Sequence, residues 1–304
     1  MTHPAIRAAR ELGWSSRLVE LPEGRMHLVR HGAGTPLLML HGWPEWWLTW
    51  RPLIERLAGR CDCLAPDLRG FGATGKWEAE PSSAIGPEVH ARHLVALLDA
   101  IGVARVVLVA HDVGAYVAQA MARLVPDRLV GLFLMDCPHP GIGTRWAAPR
   151  QIAEIWYQTF NQQPFAPTLV GASPAGCRAY IGHFLRHWAH RKDVFEADLD
   201  RWVEVYLAPG NLAGGFDWYR SIAPSRLAAI EGRAPALPPI DLPTRVLWGR
   251  HDPVLRAEWA DTLPATFRDL ELGFAEHSGH FPHREEPDLV AGALSAFLER
   301  LGLR

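Results

Sequence analysis

The stretch VVLVAHDVGAYVAQA, from Val106 to Ala120, contains the turn that decides how the chain folds. Its first half is a continuous apolar run, which is typical of a strand covered on both faces in a parallel sheet. Its second half has small and apolar residues at helical spacing. The small residues Ala110 and Gly114 flank Asp112 and permit a sharp turn between strand and helix. The pattern predicts that Asp112 projects from the apex of this turn.

Similar apolar runs recur along the chain, and each ends in residues that are capable of chemistry. They are PLLMLHGWP (36–44), CDCLAPDLRGFGATG (61–75) and TRVLWGRHDP (244–253), with RLVGLFLMD ending at Asp136. Segments with apolar residues at three- and four-residue spacing lie between the first runs. Strands that alternate with helices predict an α/β fold, with a mostly parallel, doubly wound sheet.

The pattern changes after Asp136. From about residue 138 to residue 238 there is no strand-like run, and the aromatic-rich stretches, such as RQIAEIWYQTF, are helical in pattern. We therefore predict a core domain formed by residues 1–137 and 239–304, interrupted by a helical cap of residues 138–238. Such a cap would cover the carboxyl ends of the strands, where ligands bind in open α/β sheets.

Composition restricts the classes of function. The 304 residues are 48% hydrophobic and 21% charged, with a formal net charge of −2. This composition lacks the excess of positive charge that binding to nucleic acid or to an anionic membrane surface needs. We expect no signal peptide and no membrane span, because no apolar run approaches about 20 residues. Four cysteines without metal-ligand spacing indicate a reduced, cytoplasmic protein without a metal or cofactor. A homodimer is compatible with the sequence.

Three residues follow one another in an order that is typical of a catalytic triad. Asp252 comes just after a strand, and His280 lies 28 residues later, before a final amphipathic helix. The order Asp112, Asp252, His280 is that of nucleophile, acid and histidine in the α/β-hydrolase fold. Alternatives remain at two positions. Asp112 could instead cap its helix, since Asp is a favoured N-cap residue, and Asp136 is a second candidate for the acid.

Five motifs together carry a resemblance to a known family: HGWPEWWLTW, DLRGFGATG, AHDVGAYVA, WGRHDPVL and SGHFPHREEP. Over essentially its whole length the chain resembles α/β-hydrolases of the epoxide hydrolase and haloalkane or haloacetate dehalogenase branch. In that branch the nucleophile is an aspartate and the target is a saturated carbon. The resemblance also implies a cis peptide bond before Pro44.

The resemblance implies a role for each residue of the predicted site. Asp112 would attack the substrate carbon and form an ester with it. His280 would deprotonate the water that breaks this ester, and Asp252 would orient the imidazole of His280. The backbone N–H groups of Trp43 and Val113 would stabilise the oxyanion that forms on the aspartate itself.

Two tyrosines favour an epoxide as substrate. An epoxide opens to a basic alkoxide, which needs a proton donor such as a tyrosine with a pKa of about 10. Related epoxide hydrolases use two cap tyrosines, one of them followed by glutamine. Here Tyr157 precedes Gln158, and Tyr219 stands in the sequence WYR. The expected partners are therefore a small-molecule epoxide and water.

The runner-up function is dehalogenation by the same aspartate, because Trp188 could contact a halide. Against it, Val113 and Tyr116 stand where haloacetate dehalogenases have arginines. A serine esterase is disfavoured because no serine occupies the turn, and a non-catalytic ligand-binding homologue would be expected to lack a member of the triad. The residues predicted to bind substrate are Trp156, Gln158, Trp188 and Trp218.

Overall fold

A computed structural model describes residues 2–75 and 85–303 and contains an eight-stranded sheet. The strands are β1 (Ser15–Leu21), β2 (Gly24–Gly32), β3 (Thr35–Leu40), β4 (Cys61–Pro66), β5 (Val106–His111), β6 (Leu129–Met135), β7 (Thr244–Gly249) and β8 (Leu270–Ala275). Their order is β1-β2-β4-β3-β5-β6-β7-β8. The pairs β1–β2 and β2–β4 are antiparallel, and all later pairs are parallel. The predicted α/β fold with a mostly parallel sheet is confirmed.

Helices connect the strands and cover the sheet. The first four are α1 (Pro4–Glu11), α2 (Arg51–Leu57), α3 (Pro87–Ala100) and α4 (Val113–Leu124). The next six follow β6: α5 (Pro149–Glu154), α6 (Trp156–Asn161), α7 (Ala166–Val170), α8 (Pro174–His187), α9 (Leu199–Tyr206) and α10 (Asn211–Ile230). The last two, α11 (Pro282–Glu285) and α12 (Pro287–Arg300), follow β8. Helix α3 packs against α4, and α12 against α2.

The segment between β6 and β7 is helical, as the sequence predicts, and contains no strand. We refer to residues 138–238 as the cap, a boundary that stays a prediction. The cap packs onto loops at the carboxyl edge of the sheet: the Trp202 indole N–H donates to the carbonyl of Pro44 at 2.9 Å. Gly214 of α10 lies directly against Gly70, where an added Cβ would come within 2.2 Å of a backbone oxygen. Only glycine permits this close approach.

Three strands were not predicted from the sequence. Strands β1 and β2 form an antiparallel pair at one edge of the sheet, and β8 forms the other edge. Strand β1 is largely exposed and alternates only weakly, and β8 has a single buried residue. Edge strands that are covered on one face do not show the continuous apolar run of a central strand, so the apolar pattern did not reveal them.

The core is apolar and rich in tryptophan. Seven tryptophans are fully buried, so most of them fill the interior of the protein. Cys61, Cys63, Cys137 and Cys177 are all free thiols and buried. In the part of the chain that the structure describes, no helix is long and apolar enough to cross a membrane.

Candidate active site

Asp112 occupies the strained turn that the sequence predicts between β5 and α4. Its backbone has φ 47° and ψ −113°, a conformation that costs free energy for a residue with a side chain. Gly114 makes the turn possible, because a Cβ there would lie 2.2 Å from the carbonyl oxygen of Leu40. Gly42 is equally constrained, since its Cβ would come within 2.7 Å of the Asp112 Cβ. The turn therefore holds the Asp112 carboxylate above the edge of the sheet.

Two predicted partners lie beside this carboxylate. The backbone N–H of Trp43 donates to Asp112 Oδ1 at 3.0 Å, and the peptide bond between Trp43 and Pro44 is cis, as expected. Nε2 of His280 lies 3.8 Å from Asp112 Oδ2. The N–H of Val113, the other predicted oxyanion donor, makes no hydrogen bond to this carboxylate among the described residues, although Val113 directly follows Asp112.

His280 is held by Asp252. Nδ1 of His280 lies 2.7 Å from Asp252 Oδ2, while Asp252 Oδ1 accepts the N–H groups of Val254 and Leu255 at 2.8 and 2.9 Å. Burial alone would lower the pKa of His280, but the attraction of Asp252, and then of Asp112, raises it to about 9. Nε2 has no hydrogen-bond partner in residues 2–75 and 85–303. It is therefore free to exchange a proton beside Asp112.

Asp136, the alternative acid, lies next to this pair but does not hold the histidine. Its backbone has φ 40°, and its Oδ1 accepts the N–H of Gly249 at 2.9 Å. Burial, and then the charge of Asp252, raise the pKa of Asp136 well above its usual range. Burial and the neighbouring Asp252 therefore favour the protonated form of Asp136.

Tyr157 and Tyr219 line the same pocket as Asp112. Their rings meet edge to face with centroids 5.5 Å apart, and Tyr157 stacks on Trp43 at 5.3 Å. Burial raises the pKa of both phenols, and the negative charge of Asp112 raises it further. Both hydroxyls therefore stay protonated and able to donate at neutral pH.

The structure separates the four residues that were predicted to bind substrate. Gln158 and Trp218 line the pocket, and the Gln158 amide donates to the Tyr157 hydroxyl at 3.3 Å. Trp188 is buried beneath it, with its ring 5.2 Å from that of His280. Trp156 does not line the pocket: its side chain is 46% exposed and packs on the outer side of the cap. The prediction for Trp156 finds no support in the structure.

The pocket contains a cation that the sequence analysis missed. Its walls are formed by Asp112, Val113, Tyr116, Pro138, Trp146, Tyr157, Gln158, Trp218, Tyr219, Ile222, Arg226, Val254 and Leu255. They enclose at most about 300 Å³, which is small for a ligand site. Arg226 belongs to α10, and its guanidinium lies over the ring of Trp146.

Sequence analysis also missed a buried charged cluster beneath the site. Glu45 accepts the N–H of Gly42 at 2.8 Å and contacts Nδ1 of His111 at 2.6 Å and Nε2 of His283 at 2.8 Å. The other ring nitrogen of His111 lies 2.6 Å from the carbonyl oxygen of His280. Because a carbonyl can only accept, Nε2 of His111 must carry a proton.

The protonation of this cluster follows from its contacts. Burial alone would raise the pKa of Glu45. The interactions with His111, and then with His283, outweigh burial and hold this pKa well below its usual range. Burial lowers the pKa of His283 to about 4, so this imidazole is neutral. An ionised Glu45 can only accept a hydrogen bond from Nδ1 of His111, so this nitrogen carries a proton as well as Nε2. With both nitrogens donating, His111 is an imidazolium. The cluster is one buried ion pair.

Within residues 2–75 and 85–303, two groups of side chains have atoms close enough to share a metal ion. One is the cluster Glu45, His111 and His283, and the other is Asp136, Asp252 and His280. In the first group the nitrogens already contact the carboxylate, and in the second Asp252 holds His280. The geometry of both groups is that of hydrogen-bonded acid–imidazole pairs.

The fold and this site are those of a known family. Residues 35–287 match the family described as alpha/beta hydrolase fold, and the chain belongs to it. Within that family it belongs to the epoxide hydrolase and haloalkane dehalogenase branch.

Individual relatives cover nearly the whole chain. A soluble epoxide hydrolase of Corynebacterium sp. (strain C12) is 30% identical over 287 residues, covering 91% of this chain and 94% of the relative. Haloalkane dehalogenase 2 of Mycobacterium tuberculosis is 27% identical over 306 residues, covering 95% and 96%. The crystal structure of the epoxide hydrolase CorEH is 28% identical, with a TM-score of 0.80 and coverage of 95% and 99%. The protein is therefore an epoxide-hydrolase-like α/β-hydrolase, with dehalogenases among its relatives.

The ion pair of Glu45 and His111 predicts a large loss of stability on neutralising the carboxylate. In Glu45→Gln the buried imidazolium would lose its counterion, which costs about 3–5 kcal/mol of the free energy of unfolding. Urea denaturation followed by tryptophan fluorescence measures this difference. Glu55→Gln, which removes an exposed partner of Arg51, should change stability by no more than about 0.5 kcal/mol. Equal stability of both variants would show that His111 is not charged.

Proposed function

We propose that the protein is an epoxide hydrolase, which converts epoxides to vicinal diols through a covalent ester on Asp112. The observation that carries the proposal is that two protonated tyrosine hydroxyls line one pocket with the strained Asp112, and that the His280–Asp252 pair lies beside Asp112. Epoxide opening needs both a nucleophile and a proton donor. This pocket has candidates for each.

In the first step Asp112 acts as the nucleophile. Oδ1 is held by the N–H of Trp43, so Oδ2 is the oxygen that attacks the epoxide carbon. A carbon–oxygen bond of the epoxide breaks as the ester bond forms, and the departing oxygen takes a proton from Tyr157 or Tyr219. The product of this step is a hydroxyalkyl ester of Asp112, and the tyrosine regains a proton from water.

In the second step water breaks the ester. His280 removes a proton from the water as it attacks the carboxyl carbon of Asp112, and Asp252 stabilises the imidazolium that forms. The N–H of Trp43 is placed to stabilise the oxyanion on Oδ1, with the N–H of Val113 as a second donor once the carboxyl group moves. His280 then returns the proton to the leaving diol oxygen. The carboxylic acid of Asp112 loses the second proton of the water to solvent, which restores the carboxylate.

One observation favours the alternative of dehalogenation. The indole N–H groups of Trp43 and Trp188 are buried and have no partner among the described residues, and such groups can bind a departing halide. A halide needs no proton, however, and would leave the tyrosine pair without a role. The relatives include both an epoxide hydrolase and a haloalkane dehalogenase by name. Epoxide hydrolysis remains the proposal because it uses both tyrosines.

The test compares epoxides with halogenated compounds and removes the proton donors one at a time. The purified protein should convert small terminal epoxides to diols and release little halide from haloalkanes or fluoroacetate. Tyr157→Phe and Tyr219→Phe should each lower the rate of ester formation about 10–100-fold, since each loses a hydrogen bond to a developing charge. The double variant should lose about 10²–10⁴-fold, the usual range for general acid catalysis. Single-turnover kinetics measure these rates.

Tyr180→Phe is the matched control, because Tyr180 is a half-buried cap tyrosine whose hydroxyl donates to Asn161, and it does not line the pocket. Its rate should stay close to that of the wild type. Diol formation that survives in the double Tyr157 and Tyr219 variant would exclude their role as donors. Rapid halide release without diol formation would favour dehalogenation.

The hydrolytic step should depend on pH through His280. The base must be neutral, and in the free enzyme Asp112 and Asp252 raise the pKa of His280 to about 9, against the effect of burial. Ester formation removes the charge of Asp112, so the pKa of His280 must fall in the intermediate. We expect ester hydrolysis to rise with pH and to level off below pH 9, as measured by rapid quenching of the ester. A rate that falls as pH rises would contradict a role of His280 as base.

A further inference from the structure

The pocket holds a cation without a counterion. Arg226 lines the same pocket as Asp112, and none of the ion pairs among the described residues includes it. Its terminal nitrogen donates to the Tyr116 hydroxyl at 3.2 Å, and its guanidinium covers the Trp146 ring at 3.3 Å. Its Nε–H is buried and has no partner in the described part of the chain. Most of its five donors are therefore unused.

Two other cap arginines show the contrast with Arg226. Arg220, six residues earlier in α10, pairs with Asp217, and Arg178 on the outer side of α8 pairs with Asp200. Arg226 is half-buried, and a guanidinium that is partly withdrawn from water without an acidic partner is costly, because neither an aromatic face nor a hydroxyl neutralises its charge. Arg226 is thus available to bind an anion from outside the protein.

The position of Arg226 relative to Asp112 limits the kind of anion. Tyr116, which Arg226 contacts, lies four residues after Asp112, about one helical turn of 5.4 Å along α4. The charges of both Arg226 and Asp112 act on the Tyr157 hydroxyl. All three residues line one pocket, which encloses at most about 300 Å³. Only a small molecule fits, with its anionic group a few bonds from the reacting carbon.

We propose that Arg226 binds a carboxylate of the substrate, so that the preferred epoxides are small and carry a carboxylate near the oxirane ring. A single planar guanidinium matches one carboxylate through two parallel hydrogen bonds. An anionic substrate would otherwise be repelled by Asp112, and Arg226 offsets that repulsion. The carboxylate also fixes which way the epoxide lies, with its carbon towards Asp112. This inference rests on the proposed function and names its substrate class.

The kinetic test compares a carboxylate with its neutral amide. Wild-type protein should hydrolyse 2,3-epoxypropanoate with a kcat/KM about 10–100-fold above that for 2,3-epoxypropanamide. Arg226→Met should remove this preference, and Arg226→Lys should retain part of it because the charge remains. Arg178→Met is the control, since it removes a paired cation from the outer face of the cap, and its preference should equal that of the wild type.

A binding test separates this inference from the proposed activity. Calorimetry would measure the affinity of the wild type and Arg226→Met for 2,3-dihydroxypropanoate and for its amide. Binding of the carboxylate alone, lost in Arg226→Met, supports the carboxylate site even if no epoxide is hydrolysed. Epoxide hydrolysis without preference for the carboxylate would overturn the inference and leave the proposed function standing. Equal binding of carboxylate and amide, or equal binding by both proteins, would also overturn it.

Discussion

The site depends on one buried ion pair, that of Glu45 with His111. Glu45 fixes the N–H of Gly42, which precedes Trp43, whose own N–H donates to the Asp112 carboxylate. His111 directly precedes Asp112 and holds the carbonyl oxygen of His280. The pair therefore joins three loops, those after β3, β5 and β8, whose residues must meet within a few ångströms. Because these loops are far apart in the sequence, a buried charge pair with several hydrogen bonds gives them a single arrangement.

The pocket above this cluster contains groups of opposite charge. Asp112 and Arg226 both line it, and the two tyrosines that also line it are kept neutral by burial and by the charge of Asp112. A neutral phenol is the form that can donate a proton to an alkoxide. In the proposed mechanism the same aspartate would be the nucleophile and would keep the two tyrosines protonated, and ester formation would end both effects by removing its charge.

The sequence alone was sufficient to predict those site residues whose position follows from a local strand or helix pattern. Asp112, Asp252 and His280 could be predicted because each follows a strand or precedes a helix with a clear pattern, and the structure brings all three together. Tyr157 and Tyr219 were predicted from resemblance, and both line the pocket.

What the sequence could not supply depends on distant contacts. Glu45 acquires its role only through His111 and His283, which lie 66 and 238 residues away. Arg226 is notable because the fold leaves it without an acidic partner, and no local pattern encodes that. Trp156 and Tyr157 are neighbours on a short helix, so their side chains point about 100° apart. Only the packing of the cap decides which of the two faces the substrate.

The most direct test of the account follows the oxygen atoms through one turnover. If Asp112 forms an ester, one diol oxygen comes from its carboxylate, and the water oxygen enters Asp112. With enzyme in excess over an epoxide in ¹⁸O-labelled water, the first-formed diol should be unlabelled and the peptide containing Asp112 should be heavier by one ¹⁸O exchange. Label in the first-formed diol, with none in that peptide, would mean that water attacks the epoxide directly and would contradict the covalent mechanism.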